Sequence, residues 1–365
     1  MSDSERTTIH VDLGQRAYDI EIGQGNLSGV ASFLQSRRDI SHVVVVTDTN
    51  VDPLHGDRAA DLLTDASVEV NIVAIEAGEA SKSPEVAHEL WELMLEEGVD
   101  RGSVVLAVGG GVVGDLAGFV AATFTRGLDF FQAPTTLLAQ VDSSVGGKVG
   151  VNLPGGKNMV GAFWQPRGVL IDVDVLTTLP DRDYRAGLAE VIKYGVILDA
   201  DFFAYLETNA DAINARDPAV LTQIIASSCR LKADVVEADE REESGRRAVL
   251  NYGHTFCHAI EAATGYGPVL HGEGVAMGML CASRLAERLG RIGPDATSRQ
   301  FALIEKLGLP TAVPPELDPE ELYQLMWRDK KVKDGQIRFI LPSRIGAVDL
   351  VSEAPPSDVL AAIHG

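Results

Sequence analysis

Five apolar residues in a row, Val104-Val105-Leu106-Ala107-Val108, run straight into Gly109-Gly110-Gly111-Val112-Val113-Gly114-Asp115. An unbroken apolar run suits a strand buried on both faces, and parallel sheets are where such strands occur. The glycines then turn the chain into a helix whose first N–H groups are open, with about half a positive charge at that end. A phosphate can approach glycine backbone closely and meet those groups. A tight structural turn would use the same glycines, and three in succession are not the Gly-x-Gly-x-x-Gly of dinucleotide sites.

The strand-then-helix alternation extends upstream. Residues 7–23 alternate apolar and polar around Gly14-Gln15, which predicts a β-hairpin. Residues 42–46 form a second apolar run ending in Thr47-Asp48-Thr49-Asn50, followed by a helical stretch to about residue 64 and a strand over 68–75. Ser83-Pro84-Glu85 caps the next helix, with proline at its first position. This pattern defines a doubly wound α/β layer, with ligands at the carboxyl ends of its strands. Two Gly-Gly-Lys tripeptides follow, ending at Lys148 and Lys157, in a segment that reads as loop-rich. Neither has the Walker form, which argues against a nucleoside triphosphate; two lysines on glycine-rich backbone still make an anion cradle. Beyond Pro180 the strand signals stop. Residues 183–198, 218–238, 250–264 and 273–290 have helical periodicity, so the expected domains are 1–180 (α/β) and 181–365 (α-helical). A late apolar pair, 337–341 and 348–351, predicts an edge hairpin.

Three of the eight histidines, His254, His258 and His271, fall within eighteen residues. His254 and His258 are four apart on a helix-periodic run and project from one face. A third can return to that face from the next helix, and two or three imidazoles suit a divalent cation such as zinc. Thr255 stands where a metalloprotease would carry its general-base Glu. Glu190 and Lys193 are three apart on another helical face with apolar neighbours, so burial would oblige them to be satisfied. The net charge of −22 argues against nucleic acid as a partner. Only nine lysines occur, most in glycine-rich or helix-turn stretches, as anion capture would require. No apolar run reaches membrane-spanning length, and the polar start Met1-Ser2-Asp3-Ser4-Glu5-Arg6 does not read as a signal peptide. Cys229, Cys257 and Cys281 are widely spaced in helical patterns, as free thiols of a reducing cytoplasm would be.

Over nearly its whole length the chain resembles the 3-dehydroquinate synthase family of sugar phosphate cyclases. The carrying motifs are residues 109–115, 134–148, 155–158, 187–194, Asp239-Glu240-Arg241-Glu242, 250–261, 270–274 and Asp329-Lys330-Lys331. Cys257 departs from the family's usual glycine. The resemblance implies a Rossmann-like NAD-binding α/β domain, a helical metal- and substrate-binding domain, a cleft between them, and a homodimer. It implies Glu190, His254 and His271 as ligands of Zn2+, with Co2+ as a substitute, and moves His258 from the ligand set to proton transfer. NAD contacts carry over to Asp48, Asn50, Gly78, Glu79, Ala80, Ser81, Lys82, Gly111, Val112, Val113, Gly114, Asp115, Thr135, Thr136, Thr177 and Thr178. Lys148 and Lys157 fall where cofactor and substrate meet. Asp142, Asn158, Lys193, Lys232, Arg247, Asn251, Lys330 and Lys331 become substrate contacts, and Arg126 a phosphate ligand reaching across the dimer. The implied reaction converts 3-deoxy-D-arabino-heptulosonate 7-phosphate to 3-dehydroquinate and phosphate. Hydride leaves to NAD, phosphate is eliminated, hydride returns, and an intramolecular aldol closes the ring. Another sugar phosphate cyclase, or a metal-dependent NAD polyol dehydrogenase, is the alternative; the dehydrogenase would need fewer cations.

Overall fold

The computed structural model describes residues 6–265, 267–327 and 337–364. The chain divides into two compact units, Met1–Pro180 with Leu221–Arg241, and Asp181–Val220 with Glu242–Gly365. A single break near residue 180 was expected; the segment Leu221–Arg241 departs from it, because it packs with the first unit.

The first unit contains β1 (Thr7–Val11), β2 (Tyr18–Gly23), α1 (Val30–Gln35), β3 (His42–Asp48), α2 (Asp57–Asp65), β4 (Glu69–Ile75), α3 (Pro84–Glu96), β5 (Val104–Gly109), α4 (Gly111–Thr123), β6 (Asp129–Pro134), β7 (Lys148–Leu153), β8 (Gly156–Phe163) and β9 (Gly168–Asp172). Seven strands form one sheet in the order β1-β2-β9-β6-β5-β3-β4. The β1–β2 pair is antiparallel and the rest are parallel. Side chains alternate across the sheet. Val44, Val46, Val105 and Ala107 join Leu90 and Met94 of α3 and Leu116 of α4 in one core. Val43, Val45, Leu106 and Val108 join Phe33 of α1 and Leu63 of α2 in the other. Both faces are covered, which is why these strands read as solid apolar runs.

Strand β3 pairs with β4 on one side and β5 on the other, so the strand order reverses there. Ligand crevices form beyond the carboxyl ends of such strands; here those ends are Asp48 and Gly109. The segment read as loop-rich is instead the antiparallel hairpin β7–β8, with Lys148 and Lys157 on its strands. Glycines and a Pro-Gly-Gly turn hid the strand periodicity.

The second unit contains α5 (Asp181–Leu198), α6 (Ala200–Asn214), the start of α7 (Pro218–Ala238), α8 (His254–Ala263), α9 (His271–Arg288), α10 (Pro294–Lys306), α11 (Pro319–Met326), β10 (Phe339–Arg344), β11 (Ala347–Val351) and α12 (Pro356–His364). From Leu221 onward α7 belongs to the first unit. Helix α5 is buried without a break from Ala186 to Ile197, Glu190 and Lys193 included. The late strands pair with each other in a separate two-stranded sheet, not at the edge of the large one. Their turn is tied to α5 by Gly346 N donating to Val196 O at 2.8 Å. The helical register expected from residue 250 fails at its start: Arg246–Asn251 is a 3₁₀ turn, and α8 begins only at His254. Among the described residues no helix is long and apolar enough to cross a membrane.

Candidate functional site

Three helices of the second unit deliver one donor each: Glu190 from the middle of α5, His254 and His271 from the first positions of α8 and α9. Gly272 follows His271, and a Cβ there would overlap the carbonyl oxygen of Ala186, one turn before Glu190. Only glycine lets α9 begin that close to α5. His254 Nδ1 lies 3.0 Å from the Tyr252 carbonyl oxygen. A carbonyl can only accept, so Nδ1 carries the proton and Nε2 keeps its lone pair. That Nε2 is 3.7 Å from Glu190 Oε1, and His271 Nε2 is 3.9 Å from the same oxygen.

Both Glu190 oxygens are buried and accept no hydrogen bond; the carboxylate's charge is met by an ion pair from Oε2 to Lys193 Nζ. A buried carboxylate facing the Nε2 atoms of two histidines is a donor arrangement that suits a cation. Ligands ~2.1 Å from a tetrahedral ion stand about 3.4 Å apart. The three donor atoms lie within 4.8 Å of one another, and the two edges at Glu190 exceed that spacing by only a few tenths of an ångström. The residues fit a divalent metal. His258 stands outside this group, its ring edge-on to His254 at 5.7 Å between centroids. The i,i+4 spacing did place both rings together, but Glu190 from another helix takes the position that spacing offered His258.

On its other side, His271 Nδ1 is 3.3 Å from Glu261 Oε1 and 3.9 Å from Cys257 Sγ. Burial disfavours charge on the His271 ring, but Cys257 first, then the Glu261 and Glu190 carboxylates, outweigh it, so its pKa lies well above the ordinary histidine value. Burial pushes the Cys257 thiol up, which keeps it neutral beside them. Arg247 is buried, 3.6 Å from the Glu242 carboxylate, and Asn251 ends the 3₁₀ turn half-buried. Lys330 and Lys331 lie outside the described residues.

In the first unit the candidate cofactor residues collect at one edge of the sheet. Asp48 and Asn50 sit at the end of β3, Gly78 to Lys82 after β4, Gly111 to Asp115 after β5, Thr135 and Thr136 after β6, and Thr177 and Thr178 after β9. Asp48 Oδ1 accepts from the Asn50 and Val51 N–H groups at 2.9 and 3.0 Å, fixing the turn out of β3. Lys82 Nζ pairs with Asp115 and donates to Asn158 Oδ1 at 2.5 Å, which links three of the candidates. Burial raises the Asp115 pKa, with Lys82 opposing. Lys232 Nζ donates to Asp142 Oδ1 at 2.6 Å and to its carbonyl oxygen at 2.7 Å. Lys148 and Lys157 are exposed on the β7–β8 hairpin, and exposed Arg126 holds a left-handed φ of 73° in the turn after α4. Two contacts had no signal in the sequence: His55 Nε2 lies 2.8 Å from Thr178 Oγ1, and Arg16 grips Glu240 through Nε and Nη2 at 3.0 and 2.6 Å.

A parallel α/β unit with its turns gathered at one edge, and a helical unit with a Glu-His-His donor set, define a dehydroquinate synthase-like protein. Solved structures of that class are similar throughout. A 2-deoxy-scyllo-inosose synthase complexed with carbaglucose-6-phosphate, NAD+ and Co2+ is 28% identical, with a TM-score of 0.88 over 98% of this chain and 99% of that one. The 2-epi-5-epi-valiolone synthase from Streptomyces hygroscopicus subsp. jinggangensis, with NAD+ and Zn2+ bound, is 29% identical, with a TM-score of 0.86 over 94% and 95%. The family descriptions "3-dehydroquinate synthase N-terminal" and "3-dehydroquinate synthase C-terminal" match residues 72–186 and 187–332. The 3-dehydroquinate synthase of Rhodopirellula baltica is 51% identical over 98% of this chain and 96% of its own. The chain belongs to the 3-dehydroquinate synthase family.

Proposed function

We propose that this chain is a 3-dehydroquinate synthase, converting 3-deoxy-D-arabino-heptulosonate 7-phosphate to 3-dehydroquinate and phosphate in the shikimate route to aromatic amino acids, as a cytoplasmic homodimer. The observation that carries the reading is the Glu190–His254–His271 set, whose buried carboxylate meets Lys193 at Oε2 and faces both imidazoles with Oε1. Bound NAD would supply hydride acceptance and return, and a bound divalent ion would supply Lewis-acid polarisation of the substrate hydroxyl. In this proposal the first unit holds NAD on the turns after β3, β4, β5, β6 and β9. The helix α4 N-terminus favours the pyrophosphate there. Lys148, Lys157, Lys193, Lys232 and Arg247 meet the substrate's carboxylate and phosphate, with Lys330, Lys331 and Arg126 adding charge. Asp142, bound to Lys232, holds that ammonium in one orientation. Asn158 and Asn251 orient hydroxyl groups, and His258 moves a proton.

The test uses the heptulosonate phosphate with catalytic NAD and zinc, following phosphate, carbocycle and reduced cofactor together. Phosphate should accumulate through many turnovers while reduced cofactor stays at or below the enzyme concentration. Reduced cofactor rising in step with product, without phosphate, would establish a polyol dehydrogenase instead.

A further inference from the structure

We infer that Glu261 is a positioning residue for His271, accepting the Nδ1 proton and thereby turning Nε2 toward Glu190 and His254. This rests on the metal reading above and adds a residue to it. Helix α8 carries His254, Cys257, His258 and Glu261 at i, i+3, i+4 and i+7, which is one helical face. It therefore supplies one donor itself and orients a second that belongs to α9. Glu261 is only 5% exposed in an otherwise apolar stretch of helix. A carboxylate buried there costs free energy unless something engages it, and the His271 ring does so at 3.3 Å.

The two imidazoles are then held differently. The Nδ1 proton of His254 goes to a neutral carbonyl, that of His271 to a carboxylate. A carboxylate fixes the tautomer more firmly and makes the opposite nitrogen a stronger donor, and outer partners of this kind change metal affinity by about 10–100-fold. Cys257 Sγ is farther away at 3.9 Å, and a neutral thiol is a weak acceptor.

Zinc affinity of the full-length chain, read by competition with a chromophoric chelator, tests the inference. Glu261→Gln should weaken binding by about 10–100-fold, and Cys257→Gly should leave it near the unsubstituted value. Cobalt-loaded protein gives a second readout, because each ligand histidine then shows a shifted, exchangeable N–H proton signal. In the unsubstituted chain, two such signals are expected, and Glu261→Gln should displace one and speed its exchange. Unchanged affinity and unchanged signals in the Gln variant would overturn the assignment. If that variant does not fold, the unsubstituted protein decides: coordination of His271 through Nδ1, or a single exchangeable signal, overturns it. Failure of the unsubstituted chain to bind zinc at all would sink the underlying metal reading rather than the role of Glu261 alone.

Discussion

The glycine-rich turn after β5 and the Glu190–His254–His271 centre are built in opposite ways. The turn offers backbone: its N–H groups and helix end need open space, which the glycines leave. The centre offers side chains, each costly to bury alone and each brought in by a different helix. A backbone site should therefore fail when atoms are added, and a side-chain site when atoms are removed.

The largest effect should come from taking a donor away. Glu190→Ala would leave Lys193 buried without its partner, a change that costs about 3–5 kcal/mol, and should also abolish metal retention. His254→Ala and His271→Ala should lose the metal with less loss of stability, while His258→Ala should keep it and lose turnover. Elemental analysis and urea unfolding separate these outcomes; a metal-free His258→Ala beside a fully loaded His271→Ala would refute the donor set.

The contrast sharpens at Gly272, where the side-chain centre itself depends on missing atoms. Gly272→Ala sets a Cβ against the Ala186 carbonyl oxygen, and should cost about 1–3 kcal/mol as overpacking does, with weakened metal binding measured by chelator competition. At Gly109 a Cβ would stand 2.6 Å from the Val113 side chain. Gly109→Ala should weaken NAD binding by calorimetry and leave zinc affinity untouched. Loss of zinc there would break the proposed independence of the two regions.

The smallest effect belongs to Glu240. Hydrogen bonding to Arg16, then to Gln165, holds its carboxyl below the ordinary value against the opposing effect of burial. A depressed folded pKa contributes stability above the unfolded value of about 4.3 and loses it as pH falls through the folded one. Arg16 is largely exposed, so Glu240→Gln should cost at most about 1 kcal/mol at neutral pH, and the difference should vanish in strong acid. A gap that persists in acid unfolding curves would rule out the ion pair as its source.

How much was legible follows from how each region is encoded. Residues 42–46 and 104–108 announced buried parallel strands because both faces of the sheet are covered, so local apolarity carries the whole signal. The β7–β8 hairpin was read as loop because its glycines and Pro-Gly-Gly turn carry no period-two pattern. The 3₁₀ turn before α8 was read as helix because apolar spacing alone does not distinguish the two at a helix entry. His258 drew attention as a ligand because helical spacing sees only neighbours on its own helix.

The sequence by itself determined the strand-to-helix alternation, the change to helices beyond Pro180, the anion-suited lysines and the clustering of histidines. Each is written in a period or a short spacing, which chain geometry turns directly into a face or a turn. Only the tertiary structure decided that Leu221–Arg241 packs with the first unit and that Glu261 stands behind His271; the pairing of Glu190 with His254 and His271 came from the family resemblance, and the structure brings the three together where helical spacing alone had offered His258. Those are distances between helices, set by which atoms are absent at Gly272 and which carboxylates can be satisfied when buried, and no local spacing records them.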